Sequence, residues 1–340
     1  MRTVVIEGPG SVTVETRPDP TLPGPDGAIV QVEATSICGS DLHFYDGDLP
    51  LYPVAVGHEA VGRVVEVGPD VRRYAVGDRV LISSVAGCGA CDRCALGDPV
   101  TCVQGGKVFG AGELGGAQSD LLAVPAADFQ LLAVPEGMSD EAALLLTDNL
   151  ATGWAGAQRA DFAPGATVVV IGLGAVGQCA VRAAYALGAG QVLVADPVAG
   201  RRDRAVAAGG IAIDSPTVEA VLEATGGRGA EAVIDAVALD ATLDDAFGAV
   251  RAGGTVSVIG VHDLAPYPLP ILGELFRSVT LRMTTAPIQG TWPSLVPLIG
   301  NGRIDTTGIF THEFALTDAA AAYAAVAART ADCVKVLMRP

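Results

Sequence analysis

Four cysteines lie close together in the segment GCGACDRCALGDPVTC (87–102). The spacing C-x2-C-x2-C-x7-C allows one looping segment to bring four thiolates to the corners of a tetrahedron, as in structural zinc sites. Four sulfurs fill the coordination sphere of zinc and leave no position for a substrate. An iron–sulfur cluster is the competing interpretation, because ferredoxins have similar close spacings. The segment therefore predicts a structural metal site, with zinc first, formed by Cys88, Cys91, Cys94 and Cys102.

A glycine-rich turn, GLGAVG (172–177), fits the pattern G-x-G-x-x-G. It follows the apolar run TVVVIG and opens a helical stretch, which is the context that a dinucleotide-binding turn requires. Gly172 would make the tight turn, Gly174 would let the backbone approach a pyrophosphate, and Gly177 would allow close packing of helix on strand. The phosphates would lie at the helix N-terminus.

Asp196 ends the next strand, where a carboxylate can accept hydrogen bonds from the adenosine ribose and repel a 2′-phosphate. The sequence thus favours NAD over NADP, although Arg201 and Arg202 are near enough to leave NADP open. The candidate cofactor-binding residues here are Gly172, Gly174, Ala175, Val176, Gly177, Asp196 and Arg201, with Gly260 and Val261 at the end of a later strand.

A second group of metal-ligand residue types lies outside the cysteine cluster. ICGSDLH (37–43) offers Cys38 and His43, GHE (57–59) offers His58 and Glu59, and LTDNLATGW (146–154) offers Asp148. Each of these residue types alone more often has an ordinary structural role. The prediction of a second metal site therefore depends on their combination.

Two patterns of strands and helices must position these residues. Short β-like runs separated by glycine and proline continue to about residue 135, which predicts a mostly antiparallel β region. From about residue 165, apolar strands alternate with alanine-rich helices, which predicts an α/β, Rossmann-type parallel sheet. The expected domains are residues 1–149, with a structural-zinc lobe at 87–102, then 150–285, and a return of 286–340 to the first domain.

Composition limits the classes of partner. The chain has 340 residues, half of them apolar, and a formal net charge of −17 with 21 scattered basic residues. This charge would repel nucleic acids and anionic membranes. No apolar run reaches the roughly 20 residues that span a bilayer, and the N-terminal segment lacks the apolar stretch of a secretory signal. These features predict a cytoplasmic protein.

In combination, these motifs resemble the zinc-dependent medium-chain dehydrogenase/reductase family, the alcohol dehydrogenases in the broad sense. The resemblance covers almost the whole chain and includes Cys38, GHE (57–59), the four cysteines, GGAQSDLLAVP (115–125), GLGAVG (172–177) and GRIDTTGIFTHEFALTDAAAAY (302–323). It implies a GroES-like catalytic domain beside the Rossmann-type domain, and two zinc ions per subunit.

The resemblance also implies roles for individual residues. Cys38, His58 and Asp148 would bind a catalytic zinc and leave one coordination position for water or substrate. Glu59 would be an exchangeable ligand or lie just outside the ligands, and Asp41 would orient His58. By the same resemblance, Ser40 and His43 match the proton relay, and Thr152 matches a residue near the nicotinamide.

The function that the resemblance implies is reversible hydride transfer between a small or medium alcohol and NAD, giving a ketone or aldehyde. The T-D context of Asp148 is similar to bacterial secondary-alcohol dehydrogenases; formaldehyde dehydrogenases share it but carry a long insertion that is absent here. Polyol and threonine-type dehydrogenases are alternatives, as is a catalytically silent nucleotide-binding homologue. A homodimer or homotetramer is expected, with VTLRM (279–283) as the candidate pairing strand.

Overall fold

The computed structural model describes residues 1–215, 217–262 and 265–340. The chain divides into two compact units. The first contains Met1–Ala151, Ala286–Gly302 and Thr306–Pro340, and the second contains Thr152–Thr285 and Arg303–Asp305.

Strands rich in valine and isoleucine, residues that suit a pleated and partly buried surface, form the sheets of both units. Their bounds are β1 (Arg2–Gly8), β2 (Ser11–Thr16), β3 (Ala28–Ile37), β4 (Val54–Ala55), β5 (Ala60–Val67), β6 (Arg79–Ile82), β7 (Val85–Ala86), β8 (Lys107–Val108), β9 (Leu121–Val124), β10 (Leu131–Ala133), β11 (Thr167–Ile171), β12 (Gln191–Ala195), β13 (Ile211–Ala212), β14 (Ala230–Asp235), β15 (Val250–Val258), β16 (Thr280–Met283), β17 (Phe310–Ala315) and β18 (Lys335–Arg339).

Helices, many of them rich in alanine, a strong helix former, connect and cover the sheets. Their bounds are α1 (Leu42–Asp46), α2 (Asp92–Ala95), α3 (Ala127–Gln130), α4 (Asp140–Thr147), α5 (Asn149–Arg159), α6 (Ala175–Ala186), α7 (Ala199–Ala207), α8 (Thr217–Ala224), α9 (Asp240–Ala249), α10 (Ile271–Arg277), α11 (Ile288–Gly300) and α12 (Ala319–Ala327). Within the described residues, no helix has both the length and the apolar character needed to span a membrane.

The principal sheet of the first unit has the strand order β10-β6-β5-β3-β18-β17, with β9 also paired to β3. Its pairs are antiparallel except for β17 and β18, which run parallel. Apolar clusters pack against it, one around Val30, Phe109 and Leu122 and another around Val4, Tyr323 and Met338. Strand β18 thus joins the C-terminal part of the chain to β3, which ends immediately before Cys38.

The sheet of the second unit has the order β13-β12-β11-β14-β15-β16, and every neighbouring pair is parallel. Strand β11 is buried along nearly its whole length, as expected for a sheet covered on both faces. The strand order reverses direction at β11, where Rossmann-type sheets bind their ligands beyond the carboxyl ends of the strands. The predicted architecture, a mostly antiparallel β unit with a Rossmann-type parallel-sheet unit, is confirmed.

Candidate metal centres and cofactor turn

Cys38, His58, Glu59 and Asp148 come together in the first unit. One ligand atom from each lies within 4.8 Å of the others. Cys38 follows β3, the His58–Glu59 pair precedes β5, and Asp148 separates α4 from α5. Helix α4, which leads to Asp148, begins after Ser139, whose hydroxyl accepts a bond from the Ala142 amide at 3.2 Å and so caps the helix.

The ligand atoms of three of these residues face one another. Cys38 Sγ lies 3.4 Å from Asp148 Oδ2, and His58 Nε2 lies 3.6 Å from the same oxygen. The other ring nitrogen of His58, Nδ1, lies 3.4 Å from Asp41 Oδ1. A sulfur, a nitrogen and a carboxylate oxygen form a donor set that zinc accepts, and three protein ligands are the number found in catalytic zinc sites. These residues therefore fit a catalytic zinc ion.

Electrostatics within this group agree with metal binding. Burial alone would lower the pKa of His58, but the charges of Asp41 and Cys38 and the facing carboxylate of Asp148 raise that pKa well above its usual value. Burial opposes ionisation of Asp148, yet the close contact with His58 and the charge of that ring lower the pKa of Asp148 to about 2. Burial also raises the pKa of the Cys38 thiol. Because zinc binds the deprotonated forms, its binding here would release protons and strengthen with rising pH.

The carboxylate of Glu59 forms a buried ion pair with a lysine. It is fully buried and lies 2.9 Å from Lys335 Nζ, whose side chain is 1% exposed. Ser36 Oγ donates to Glu59 Oε2 at 2.7 Å, and Asn149 Nδ2 donates to Oε1 at 3.3 Å. Asn149 Nδ2 also lies 2.8 Å from Asp148 Oδ2. The charge of Glu59 is thus balanced by protein groups.

The predicted relay residues lie beside Cys38. Ser40 belongs to a 3-10 turn formed by Gly39–Asp41, and His43 lies on α1, which follows directly. His43 Nδ1 is 3.0 Å from Asp48 Oδ2, and its side chain remains 24% exposed. His43 is therefore in a position to exchange a proton with solvent.

The four cysteines of residues 87–102 form a second compact group, in which all four sulfurs lie within 4.8 Å of one another. Backbone amides donate to two of the sulfurs: Cys94 N to Cys91 Sγ at 3.5 Å, and Cys88 N to Cys102 Sγ at 3.3 Å. Bonds from the amides of Cys94 and Val103 lower the pKa of the Cys91 thiol to about 6. Amides that favour thiolates, and four converging sulfurs, fit a tetrahedral zinc ion.

The glycine turn has the backbone shape that its motif requires. Gly172 has φ +84°, and a Cβ on Gly177 would lie only 1.8 Å from the Gly172 carbonyl oxygen. A Cβ on Gly174 would meet no atom of the described residues within 4 Å apart from its chain neighbours, which leaves open space at the start of α6. Asp196 accepts bonds from the amides of Leu173 at 2.7 Å and Val198 at 2.8 Å. The turn thus offers the N-terminus of α6 to a pyrophosphate beside a fixed carboxylate.

The remaining predicted cofactor residues lie in the second unit. Thr152 is on α5, Ala175 and Val176 begin α6, and Arg201 is on α7. Gly260 donates its amide to Asp235 O at 3.1 Å, and Val261, which follows it, is exposed.

Comparison with known proteins agrees with this geometry. Residues 24–136 match the alcohol dehydrogenase GroES-like domain, and residues 175–301 match the zinc-binding dehydrogenase domain. A Mycobacterium tuberculosis protein named as a probable zinc-binding alcohol dehydrogenase is 60% identical over all of this chain and 89% of its own length.

Solved structures give the same result. The alcohol dehydrogenase TADH from Thermus sp. ATN1 is 34% identical, with a TM-score of 0.92 over 100% of this chain and 99% of its own. A Sinorhizobium meliloti protein solved bound to NADP is 27% identical, with a TM-score of 0.84 over 100% and 99% of the two chains. The chain belongs to the zinc-dependent medium-chain dehydrogenase/reductase family.

Membership of the medium-chain dehydrogenase/reductase family makes the protein an oxidoreductase of the zinc alcohol dehydrogenase type, and it confirms the resemblance inferred from the motifs. Sequence reasoning missed Lys335 and Asn149, both of which contact Glu59. A signal for Lys335 existed, because the chain has only two lysines and this one lies in the apolar run CVKVLM (333–338). A charged residue in such a strand is rarely buried unless it is paired.

Proposed function

We propose that the protein is an NAD-dependent alcohol dehydrogenase that interconverts a small or medium secondary alcohol and its ketone. The observation that carries this proposal is that two ligand atoms converge on Asp148 Oδ2. Cys38 Sγ lies 3.4 Å from this oxygen, and His58 Nε2 lies 3.6 Å from it. These three residues would hold the catalytic zinc, with Glu59 beside them. Cys88, Cys91, Cys94 and Cys102 would hold a structural zinc.

Each group would supply one part of the reaction. Zinc supplies a Lewis acid, which makes loss of the alcohol's hydroxyl proton accessible near neutral pH. Ser40 Oγ takes that proton and transfers it toward His43, which releases it to solvent. The pairing of His43 with Asp48 keeps the imidazole oriented for this exchange. The nicotinamide supplies the hydride acceptor, with Thr152, Gly260 and Val261 as its candidate neighbours.

The preference for NAD is supported by Asp196. A carboxylate beside the glycine turn can bind the ribose hydroxyls and repels a 2′-phosphate. Its own position is fixed by the amides of Leu173 and Val198. The NADP bound to the Sinorhizobium meliloti relative makes NADP the alternative, with Arg201 and Arg202 as candidate partners of the additional phosphate.

The expected homodimer or homotetramer is supported by exposed apolar residues on α10 and β16 of the second unit, together called the apolar patch of α10 and β16: Ile271, Leu272, Leu275, Phe276 and Met283. Helix α10 buries none of its residues, and among the strands of the described residues β16 pairs only with β15. The charged residues of α10, Glu274 and Arg277, pair at 3.0 Å, so two copies can meet here without adding to the repulsion of a −17 chain. A second copy related by a two-fold axis is the proposed occupant.

Metal analysis combined with turnover tests the proposed function. The wild-type protein is expected to hold two zinc ions per subunit and to oxidise secondary alcohols more efficiently with NAD than with NADP. Asp148→Ala should lose the catalytic zinc and turnover but keep the zinc of the four cysteines; Asp70→Ala, at an exposed carboxylate, is the control. A fully metallated and active Asp148→Ala variant would refute the assignment.

The substrate panel should include primary alcohols, polyols, threonine and hydrated formaldehyde. Faster turnover of any of these than of secondary alcohols would replace the proposed substrate class. A protein with both zinc ions and bound NAD but no turnover of any alcohol would instead indicate the catalytically silent homologue.

A further inference from the structure

A chain of buried polar contacts extends from the candidate zinc ligand His58 to helix α12. Asp41, whose Oδ1 lies 3.4 Å from His58 Nδ1, accepts a bond at Oδ2 from Gln118 Nε2 at 3.2 Å. Gln118 Oε1 accepts a bond from the Tyr323 hydroxyl at 3.0 Å. The residues beyond His58 are at most 2% exposed, so water cannot replace these bonds.

We propose that Gln118 and Tyr323 are positioning residues for the catalytic metal centre, because the Tyr323–Gln118–Asp41 chain fixes the carboxylate that orients His58. This inference rests on the proposed function, in which His58 is a zinc ligand. Partners behind a ligating histidine set its tautomer and ring orientation. Here the series of partners continues two residues beyond the carboxylate.

The orientation of the Gln118 amide is determined by its acceptors. Nε2 faces the Ser36 carbonyl at 3.2 Å as well as the Asp41 carboxylate, and neither group can donate. The amide oxygen must therefore face Tyr323, and the Tyr323 hydroxyl must donate to it. A reversed amide would place two acceptors against each other in a buried site, which is costly.

In this arrangement the two carboxylate oxygens of Asp41 contact different partners. Oδ2 accepts from Gln118 and also from the Cys38 amide at 3.0 Å. Oδ1 is then the oxygen that faces His58. With Nδ1 directed at Asp41, the Nε2 atom of His58 is the one presented to Cys38 and Asp148.

Packing also couples Gln118 to the segment that carries His58. A Cβ on Gly57 would lie 2.4 Å from Gln118 Cγ, and Gly57 has φ +96°. The backbone N–H of Gln118 donates to Val56 O at 3.1 Å. Tyr323 in turn stacks on Tyr45 of α1, with ring centroids 5.7 Å apart. Displacement of the Gln118 side chain would therefore affect both Gly57, which precedes His58, and, through Tyr323, helix α1.

The test compares two tyrosine variants that each lose one buried hydroxyl. Tyr323→Phe removes the end of the chain, whereas Tyr74→Phe removes a hydroxyl that donates to Leu131 O at 2.6 Å in a separate apolar cluster. Both proteins are loaded with zinc, and release of the catalytic zinc to a chromophoric chelator is timed. Asp148→Ala identifies the signal of the structural zinc.

Tyr323→Phe should release catalytic zinc about 10-fold faster than wild type, the lower end of the range for partners behind a ligand. Tyr74→Phe should release it at the wild-type rate. In an Asp41→Asn background, Tyr323→Phe should add little, because it acts through Asp41. The visible absorption of the Co²⁺-substituted protein should change in Tyr323→Phe and stay unchanged in Tyr74→Phe.

The outcomes separate this inference from the proposed function. A wild-type protein with only the zinc of the four cysteines would overturn the proposed function and this inference with it. Wild-type protein with two zinc ions, together with equal zinc release from both phenylalanine variants, would overturn this inference alone. Equal effects of Tyr323→Phe in the presence and absence of the Asp41 carboxylate would do the same.

Discussion

Lys335 and Glu59 form an ion pair that is almost completely shielded from water, with side chains 1% and 0% exposed. Burial of two charges is costly, and removal of one partner leaves the other uncompensated. Lys335→Met should therefore lower the free energy of unfolding by about 3–5 kcal/mol. Urea denaturation of the zinc-loaded protein, followed by circular dichroism, measures this change.

The other lysine of the chain provides a matched control. Lys107 pairs with Glu113 on the surface, where its side chain is 46% exposed, and Lys107→Met should cost less than about 1 kcal/mol. Adding Glu59→Gln to Lys335→Met should recover part of the loss, because no uncompensated charge remains. Equal stability of the two lysine variants would contradict the proposed importance of the buried pair.

Asp196 provides a prediction about cofactor choice. Asp196→Ala removes the carboxylate that would bind the ribose and repel a 2′-phosphate, so the ratio of kcat/KM for NAD to that for NADP should fall by at least about 10-fold, or 1.4 kcal/mol. Steady-state kinetics with both cofactors measure the ratio. Asp203→Ala, on helix α7, is the control, and an unchanged ratio in Asp196→Ala would refute the role of this carboxylate.

Sequence reasoning at the residue scale identified side chains whose types carry chemistry, but not the groups around them. Cys38, His58 and Asp148 stand out because their types suit zinc. Lys335, Gln118 and Tyr323 act through long-range contacts; Lys335 reaches Ile37 O only because β18 lies beside β3. No local sequence pattern predicts that β18 pairs with β3.

At the scale of elements, the turn between β11 and α6 separates two roles of glycine. Gly174 has an ordinary φ of −64°, and in the described part of the chain only its sequence neighbours could lie within 4 Å of the place that a Cβ would take. Gly174→Ala should thus change the free energy of unfolding by less than about 1 kcal/mol, yet weaken NAD binding, because the methyl group would occupy the space of the pyrophosphate.

Gly177→Ala should have the opposite pattern. Its Cβ would lie 1.8 Å from the Gly172 carbonyl oxygen, so α6 must shift away from β11 and the protein should lose about 1–3 kcal/mol of stability. Thermal unfolding and NAD titration of both variants distinguish the two effects. A Gly174→Ala variant with wild-type NAD affinity would exclude this turn as the pyrophosphate site.

The elements themselves were predictable where the period of apolar residues was clear. TVVVI (167–171) and VLVA (192–195) are short, mostly apolar runs, and the structure places them in the adjacent parallel strands β11 and β12. The position of β18 between β3 and β17 could not be predicted from the sequence. Strand order and register depend on packing across the whole unit and not on a local pattern.

At the scale of the whole molecule, the apolar patch of α10 and β16 predicts the oligomeric state. Phe276 is 83% exposed, and a carboxylate there would have to be buried in the proposed dimer without a partner. Phe276→Asp should therefore halve the mass measured by light scattering at micromolar concentration. Val76→Asp, at a position 64% exposed in the first unit, should leave the mass unchanged; an unaltered mass for Phe276→Asp would exclude this interface.

The buried pair of Glu59 and Lys335 also has a consequence for synthesis. The two residues are 276 positions apart, and ribosomes add roughly 5–20 residues per second. Glu59 is therefore added to the growing chain about 14–55 s before Lys335. Until β18 is synthesised, the nascent first unit lacks the charge that balances Glu59. Stable burial of the candidate zinc ligands must therefore follow translation of the C-terminal strand.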